Sequence, residues 1–160
     1  MHNTSSFVPT LMGLIIAGVV VWLFYGAFFP APQTLPVNNS SATKVGSVAY
    51  FAGGCFWSME SAFEHVPGVN EAISGYAGGS LANPTYDDVN TETTGHREAV
   101  EVWYDPTKVT YGELVEYYFT VIDPVDAGGQ FVDRGESYTS AIFYKTPAEE
   151  AIVKDVLKKL

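Results

Sequence analysis

The sequence predicts an α+β fold, a ferredoxin-like α/β sandwich of order β-α-β-β-α-β-α, preceded by one transmembrane helix. Three observations predict it. Strand-like and helix-like segments alternate from Ser47 to the end of the chain, with two strand-like segments consecutive in the middle. Glycine- or proline-containing stops separate several of them. An uncharged apolar run stands apart at the N-terminus.

That run covers Phe7 to Phe29 and contains no charged side chain. A span of roughly 23 residues is long enough to cross a bilayer. A cleavable signal peptide has a basic start and an apolar core of about 7–15 residues. Here no Lys or Arg precedes the run, so residues 1–29 read as an uncleaved single-pass anchor. Trp22, Phe24, Tyr25, Phe28 and Phe29 suit the membrane interface. Orientation stays open, because Lys44 is the one basic residue near enough to count. Residues 30–44, with Pro30, Pro32, Pro36 and Asn38-Asn39-Ser40-Ser41, form a linker. Every Asp, Glu, Lys and Arg lies at or beyond Lys44, so the folded domain spans 45–160.

Within the domain, Ser47 to Ala52 is an apolar strand. Gly53-Gly54 then turns into a helix over Cys55 to His65, where Phe56, Met59, Phe63 and Val66 recur at helical spacing. Pro67-Gly68 stops it. Val69 to Tyr76 reads as a strand ended by Gly78-Gly79, and Asn83 to Gly95 as a long polar loop. Glu98 to Tyr104 is a strand. Thr110 caps a helix from Tyr111 to Ile122, with Glu113 completing a capping box. Asp123 to Ser137 is a second long loop, and Ser140 to Tyr144 a strand. Thr146-Pro147 opens a last helix, with Glu149 and Glu150 in its first turn and Lys158 and Lys159 in its last, as the helix dipole prefers.

Composition narrows the function. The chain carries 18 acidic against 8 basic residues, a net charge of -10, which argues against a nucleic-acid partner. One cysteine in 160 residues excludes an internal disulfide and a Cys-rich zinc site. The three histidines show no metal-ligand spacing, and no phosphate loop or dinucleotide fingerprint is present.

The single cysteine, Cys55, falls at the start of the first helix, where free N–H groups and the dipole favour an anion. That suits a thiol reacting as its thiolate. A small buried core cysteine fits the same turn. A thiolate needs a proton source. Glu98, where the first long loop enters a strand, serves if it faces inward; a solvated strand-edge glutamate is the other reading. His96 stands two residues away, and with Cys55 it defines a cysteine hydrolase as an alternative. Tyr86 and Tyr138, in the two long loops, can donate hydrogen bonds to a substrate oxygen or simply pack.

Several blocks then carry a resemblance. They are Gly54-Cys55-Phe56-Trp57, Pro67-Gly68-Val69, Gly75-Tyr76-Ala77-Gly78-Gly79, Asn83-Pro84-Thr85-Tyr86, Thr94-Gly95-His96-Arg97-Glu98-Ala99-Val100, Tyr104-Asp105-Pro106, Asp123-Pro124, and Asp133-Arg134-Gly135 through Tyr138. In this order, across Val48 to Tyr144, they resemble the methionine sulfoxide reductase A family. The resemblance implies reduction of methionine S-sulfoxide, free or in oxidised proteins. It implies Cys55 as the attacking thiolate, Glu98 as the acid that protonates the departing oxygen, and Tyr86 and Tyr138 as hydrogen-bond donors to it. Phe56 and Trp57 would cradle the methyl group, and Asp133 matches a position at the substrate site. No bound cofactor is implied. Cys55 ends as a sulfenic acid.

The chain departs from the family in three ways. It has no second, resolving cysteine; one branch places it where Ser58 stands here. Thr139 stands where the family often has Arg. The chain stops at Leu160, so the domain is expected to lack the family's C-terminal tail. Regeneration is then expected from thioredoxin or another external thiol. The alternative from a different class is a truncated, non-catalytic module that holds Met-rich partners in the aromatic pocket.

Overall fold

The computed structural model describes residues Gly46–Leu160. These all fall within one compact unit, Ala42–Leu160. Among the described residues no helix is long and apolar enough to cross a membrane. The expected span over residues 7–29 and the linker over 30–44 lie outside the described residues.

The elements are β1 (Ser47–Ala52), α1 (Phe56–Glu64), β2 (Val69–Ala77), α2 (Tyr86–Val89), β3 (Arg97–Tyr104), α3 (Tyr111–Val121), β4 (Gly129–Gln130), β5 (Asp133–Arg134), a 3-10 turn (Glu136–Tyr138), β6 (Ala141–Phe143) and α4 (Pro147–Leu157). The main sheet has order β2-β3-β1-β6, and all three pairings are antiparallel. β1-α1-β2 and β3-α3-β6 are thus two interlocked crossovers, each with a strand of the other between its own. The expected β-α-β-β-α-β-α order holds. Both polar loops carry short structure of their own: α2 in the first, the β4–β5 hairpin and the 3-10 turn in the second. Segments this short show no periodicity to read.

Strand pairing decides which side chains face the helices. Phe51 pairs with Val100 and Ala49 with Val102. Ala72 pairs with Val102 and Tyr76 with Glu98. Side chains alternate along a strand, so Glu98, Val100, Val102 and Tyr104 share one face. Against that face pack Phe56, Met59 and Phe63 of α1, Leu114, Val115 and Tyr118 of α3, and Val153 and Val156 of α4. Phe51 stacks on Phe63 at 4.7 Å and on Tyr118 at 5.3 Å between ring centroids.

The capping box at Thr110/Glu113 forms as expected, and a second, at Thr146/Glu149, opens α4. A third, Thr85/Asp88, opens α2. In α4, Lys154 is the basic residue of the last turn, while Lys158 is the C-cap and Lys159 lies beyond it. The Tyr118 hydroxyl, inside the core, donates to the Ala52 carbonyl at 2.7 Å. Tyr118→Phe should therefore lower unfolding stability by ~1–3 kcal/mol, the cost of orphaning a buried partner. Urea unfolding should show a lower midpoint at unchanged slope.

Candidate active site

The site is built on the turn between β1 and α1. Gly53 and Gly54 are required there by close approach. A Cβ on Gly53 would stand 2.6 Å from the Ile122 side chain, and one on Gly54 2.8 Å from Gln130. Gly54 also has φ +85°, a region that favours glycine. Its N–H donates to the Tyr138 carbonyl at 3.1 Å, which ties the second long loop to the turn. Cys55 is the N-cap of α1, and its side chain makes no capping bond. Its carbonyl accepts from the N–H groups of Ser58 and Met59. The residue is a partly exposed free cysteine. It lines a groove of about 130 Å³ with Gly53, Met59, Gln130, Phe131 and Asp133. A larger hollow of about 610 Å³, by Arg97, Asp126 and Glu136, contains none of the site residues singled out in the sequence.

Glu98 faces inward. It is 2% exposed, and its carboxylate accepts from the Phe56 N–H at 2.9 Å. The acid is therefore bonded to the backbone of the residue that follows the thiol. Burial pushes its pKa above the ordinary value; the Phe56 bond opposes this, and the charges of Asp133 and Glu92 add to the rise.

Three tyrosines gather around it. Tyr138 is hydrogen-bonded to Tyr86, and its phenol is pushed up to about 12, first by burial and then by the charge of Glu98. Tyr76, opposite Glu98 in the sheet, is likewise raised by burial and then by Glu98. The Phe56 ring lies 5.5 Å from Trp57, 5.6 Å from Tyr76 and 6.3 Å from Tyr86, centroid to centroid. Trp57 is 66% exposed and forms the outer wall. The structure thus brings together Cys55, Phe56, Trp57, Tyr86, Glu98, Asp133 and Tyr138. An aromatic hollow with a protonatable carboxyl, phenol donors and a thiol can bind an apolar group and deliver both a nucleophile and a proton.

Two members escaped the sequence reading. Tyr76 belongs to a strand read correctly, but only its pairing with Glu98 brings it to the site. Glu92 looked like an ordinary loop residue, and its reach to Ser137 is visible only in the fold.

His96 is placed differently. Its Nδ1 accepts from the Gly79 N–H at 3.2 Å, and Nε2 contacts the Leu81 carbonyl at 2.9 Å. Both ring nitrogens are used to hold the loop after β2, which leaves the hydrolase alternative without its base. His96→Ala should cost ~1–3 kcal/mol of stability. It should leave the iodoacetamide labelling rate of Cys55 within about twofold, because thiol reactivity follows its immediate surroundings. Among the described residues no group of three His, Cys, Asp or Glu is placed to hold a metal ion.

Comparison with known proteins gives a consistent picture. The family model for peptide methionine sulfoxide reductase matches residues 47–160. A peptide methionine sulfoxide reductase MsrA of Bacillus licheniformis is 50% identical over 113 residues, 71% of this chain and 62% of its own. MsrA 2 of Caulobacter vibrioides is 49% identical over 135 residues, 84% of this chain and 67% of its own. Among solved structures, methionine sulfoxide reductase A of Corynebacterium diphtheriae superposes with a TM-score of 0.64 at 39% identity, covering 71% of this chain and 57% of its own. Reduced Mxr1 from Saccharomyces cerevisiae gives 0.67 at 26% identity, covering 71% and 67%. The chain thus spans under two thirds of the length of the Bacillus licheniformis and Corynebacterium diphtheriae proteins.

Proposed function

The chain belongs to the peptide methionine sulfoxide reductase family, and from that premise we propose that it reduces methionine S-sulfoxide, free or in oxidised proteins, to methionine. The observation that carries the proposal is the buried carboxyl of Glu98, bonded to the backbone of the residue that follows Cys55.

In this reading the Cys55 thiolate attacks the sulfoxide sulfur. A proton from Glu98 goes to the sulfoxide oxygen, which is a poor leaving group until protonated. The attack forms a bond between the two sulfurs and the protonated oxygen leaves the substrate as water; a water molecule then adds to the Cys55 sulfur as the sulfur–sulfur bond breaks, which frees the thioether and gives back the extra proton. The substrate sulfur is reduced by two electrons to the thioether, and Cys55 is oxidised to a sulfenic acid. Tyr86 and Tyr138 hold the oxygen by hydrogen bonds while charge shifts onto it. Phe56 and Trp57 enclose the methyl group, and Asp133 borders the substrate. With the methyl on one side and the donors on the other, only one handedness at sulfur fits. Two thiols of an external reductant, thioredoxin or a small dithiol, return Cys55 to the thiol, releasing water and a disulfide.

The test is a single-turnover assay on the full chain with methionine S-sulfoxide and, separately, the R epimer. About one methionine per chain from the S epimer and none from the R is the expected result; the stoichiometry follows from a single thiol acting without reductant. A dimedone adduct on Cys55 should accompany it. Binding of methionine sulfoxide without any product would overturn the reading in favour of the binding module.

The same proposal anchors the domain in a membrane by residues 7–29, with 30–44 as tether. The uncharged run supports it. The protein should stay in the pellet after carbonate extraction, and release into the supernatant would refute the anchor.

A further inference from the structure

Glu92 is a strained residue beside the site. It follows α2, where its N–H donates to the Val89 carbonyl at 3.0 Å. Its φ is +59°, in a region that penalises a long side chain. Its carboxylate is committed to one partner. One oxygen accepts from the Ser137 N–H at 2.9 Å and the other from the Ser137 hydroxyl at 2.6 Å. Ser137 is 1% exposed and is the middle residue of the turn Glu136–Tyr138. Gly135 makes the approach possible, since a Cβ there would stand 2.6 Å from a Glu92 carboxylate oxygen. The loop that carries Tyr86 therefore grips the turn that carries Tyr138, and the two phenols meet.

We propose that Glu92 is a positioning residue for sulfoxide reduction: its two-pronged hold on Ser137 fixes the Tyr138 hydroxyl against that of Tyr86 beside Glu98. This rests on the function proposed above. A carboxylate suits the task because it accepts two hydrogen bonds from neighbouring donors without offering one of its own. An amide can keep both contacts by turning its nitrogen to donate to the Ser137 hydroxyl, so alanine is the substitution that releases the turn.

The test uses the full chain with ring-labelled tyrosine, in wild type, Glu92→Ala and Ser137→Ala. Ser137→Ala keeps the Glu92 charge and removes one prong, so the two variants separate charge from grip. Tyr138 is faced by Glu98 from β3, Tyr86 from α2 and Asp133 from β5. Neither variant alters these three, so a change in its titration reports a displaced ring. In the wild type Tyr138 should titrate near 12 and stay largely protonated at about pH 11, where an ordinary tyrosine is mostly ionised. In both variants it should ionise close to the ordinary value, and the single-turnover rate should drop about tenfold or more, as small misplacements do. An unmoved Tyr138 titration together with an unchanged rate in either folded variant would overturn the inference. A wild type that forms no methionine would instead overturn the reading of the site, and the titration alone would then decide whether Glu92 sets the geometry.

Discussion

Cys55→Ser should abolish methionine formation, by about 10⁴-fold or more, because a serine hydroxyl at neutral pH is neither ionised nor a good nucleophile toward sulfur. Cys55 is the sole cysteine of the chain, so no neighbouring thiol can take over. The substitution is also structurally mild. Cys55 occupies the N-cap of α1 without a side-chain bond, and serine is among the favoured residues at that position. The variant should melt at or above the wild-type temperature while showing no thiol by Ellman titration. Loss of activity then reports chemistry and not unfolding. Wild-type yield from Cys55→Ser would remove the thiol from the mechanism.

The second large effect is at Glu98. Glu98→Gln keeps the shape and keeps an oxygen to accept from the Phe56 N–H, but it has no proton to give. General acids contribute about 10²–10⁴-fold, and a loss of that order is expected in the single-turnover rate. The pH dependence gives a sharper signature. Burial raises the Glu98 pKa above the ordinary glutamate value of 4.5. Its acid form therefore persists to higher pH than in an ordinary glutamate. The wild-type rate should be held below the raised value and fall as pH rises through it. In Glu98→Gln that limb should disappear. Stability follows the same sign. Between 4.5 and the raised value the folded protein binds the proton that the unfolded chain has lost. Stability therefore falls as pH rises through that window. Glu98→Gln should not show this decline. A variant with wild-type rate and wild-type pH profile would take Glu98 out of the acid role.

Much of this site was readable before any fold was known, but unevenly. Cys55 at a helix start follows from a strand-like run, two glycines and the spacing of Phe56, Met59 and Phe63. All of these signals lie between Ser47 and Phe63. The box at Thr110/Glu113 is likewise a short local pattern. Thr85/Asp88 is not legible in the same way, because an Asp at the third position of a four-residue helix has no apolar period to support it. For Glu98 two readings fit the local pattern, and they differ only in the face it takes. Pairing with Tyr76 put it inside, since a shift of one residue would have turned it to the other face.

What the sequence determined by itself is the order of elements, the caps, the nucleophile's place at a helix start, and the uncharged run over residues 7–29. These depend on neighbours along the chain. What only the tertiary structure decided is the company around Glu98: Tyr76 across the sheet, Tyr138 carried in on a turn held by Gly54 and Glu92, and His96 turned away to a backbone role. Those contacts join residues tens of positions apart. Their energy depends on strand register and loop closure, which no local pattern of side chains encodes.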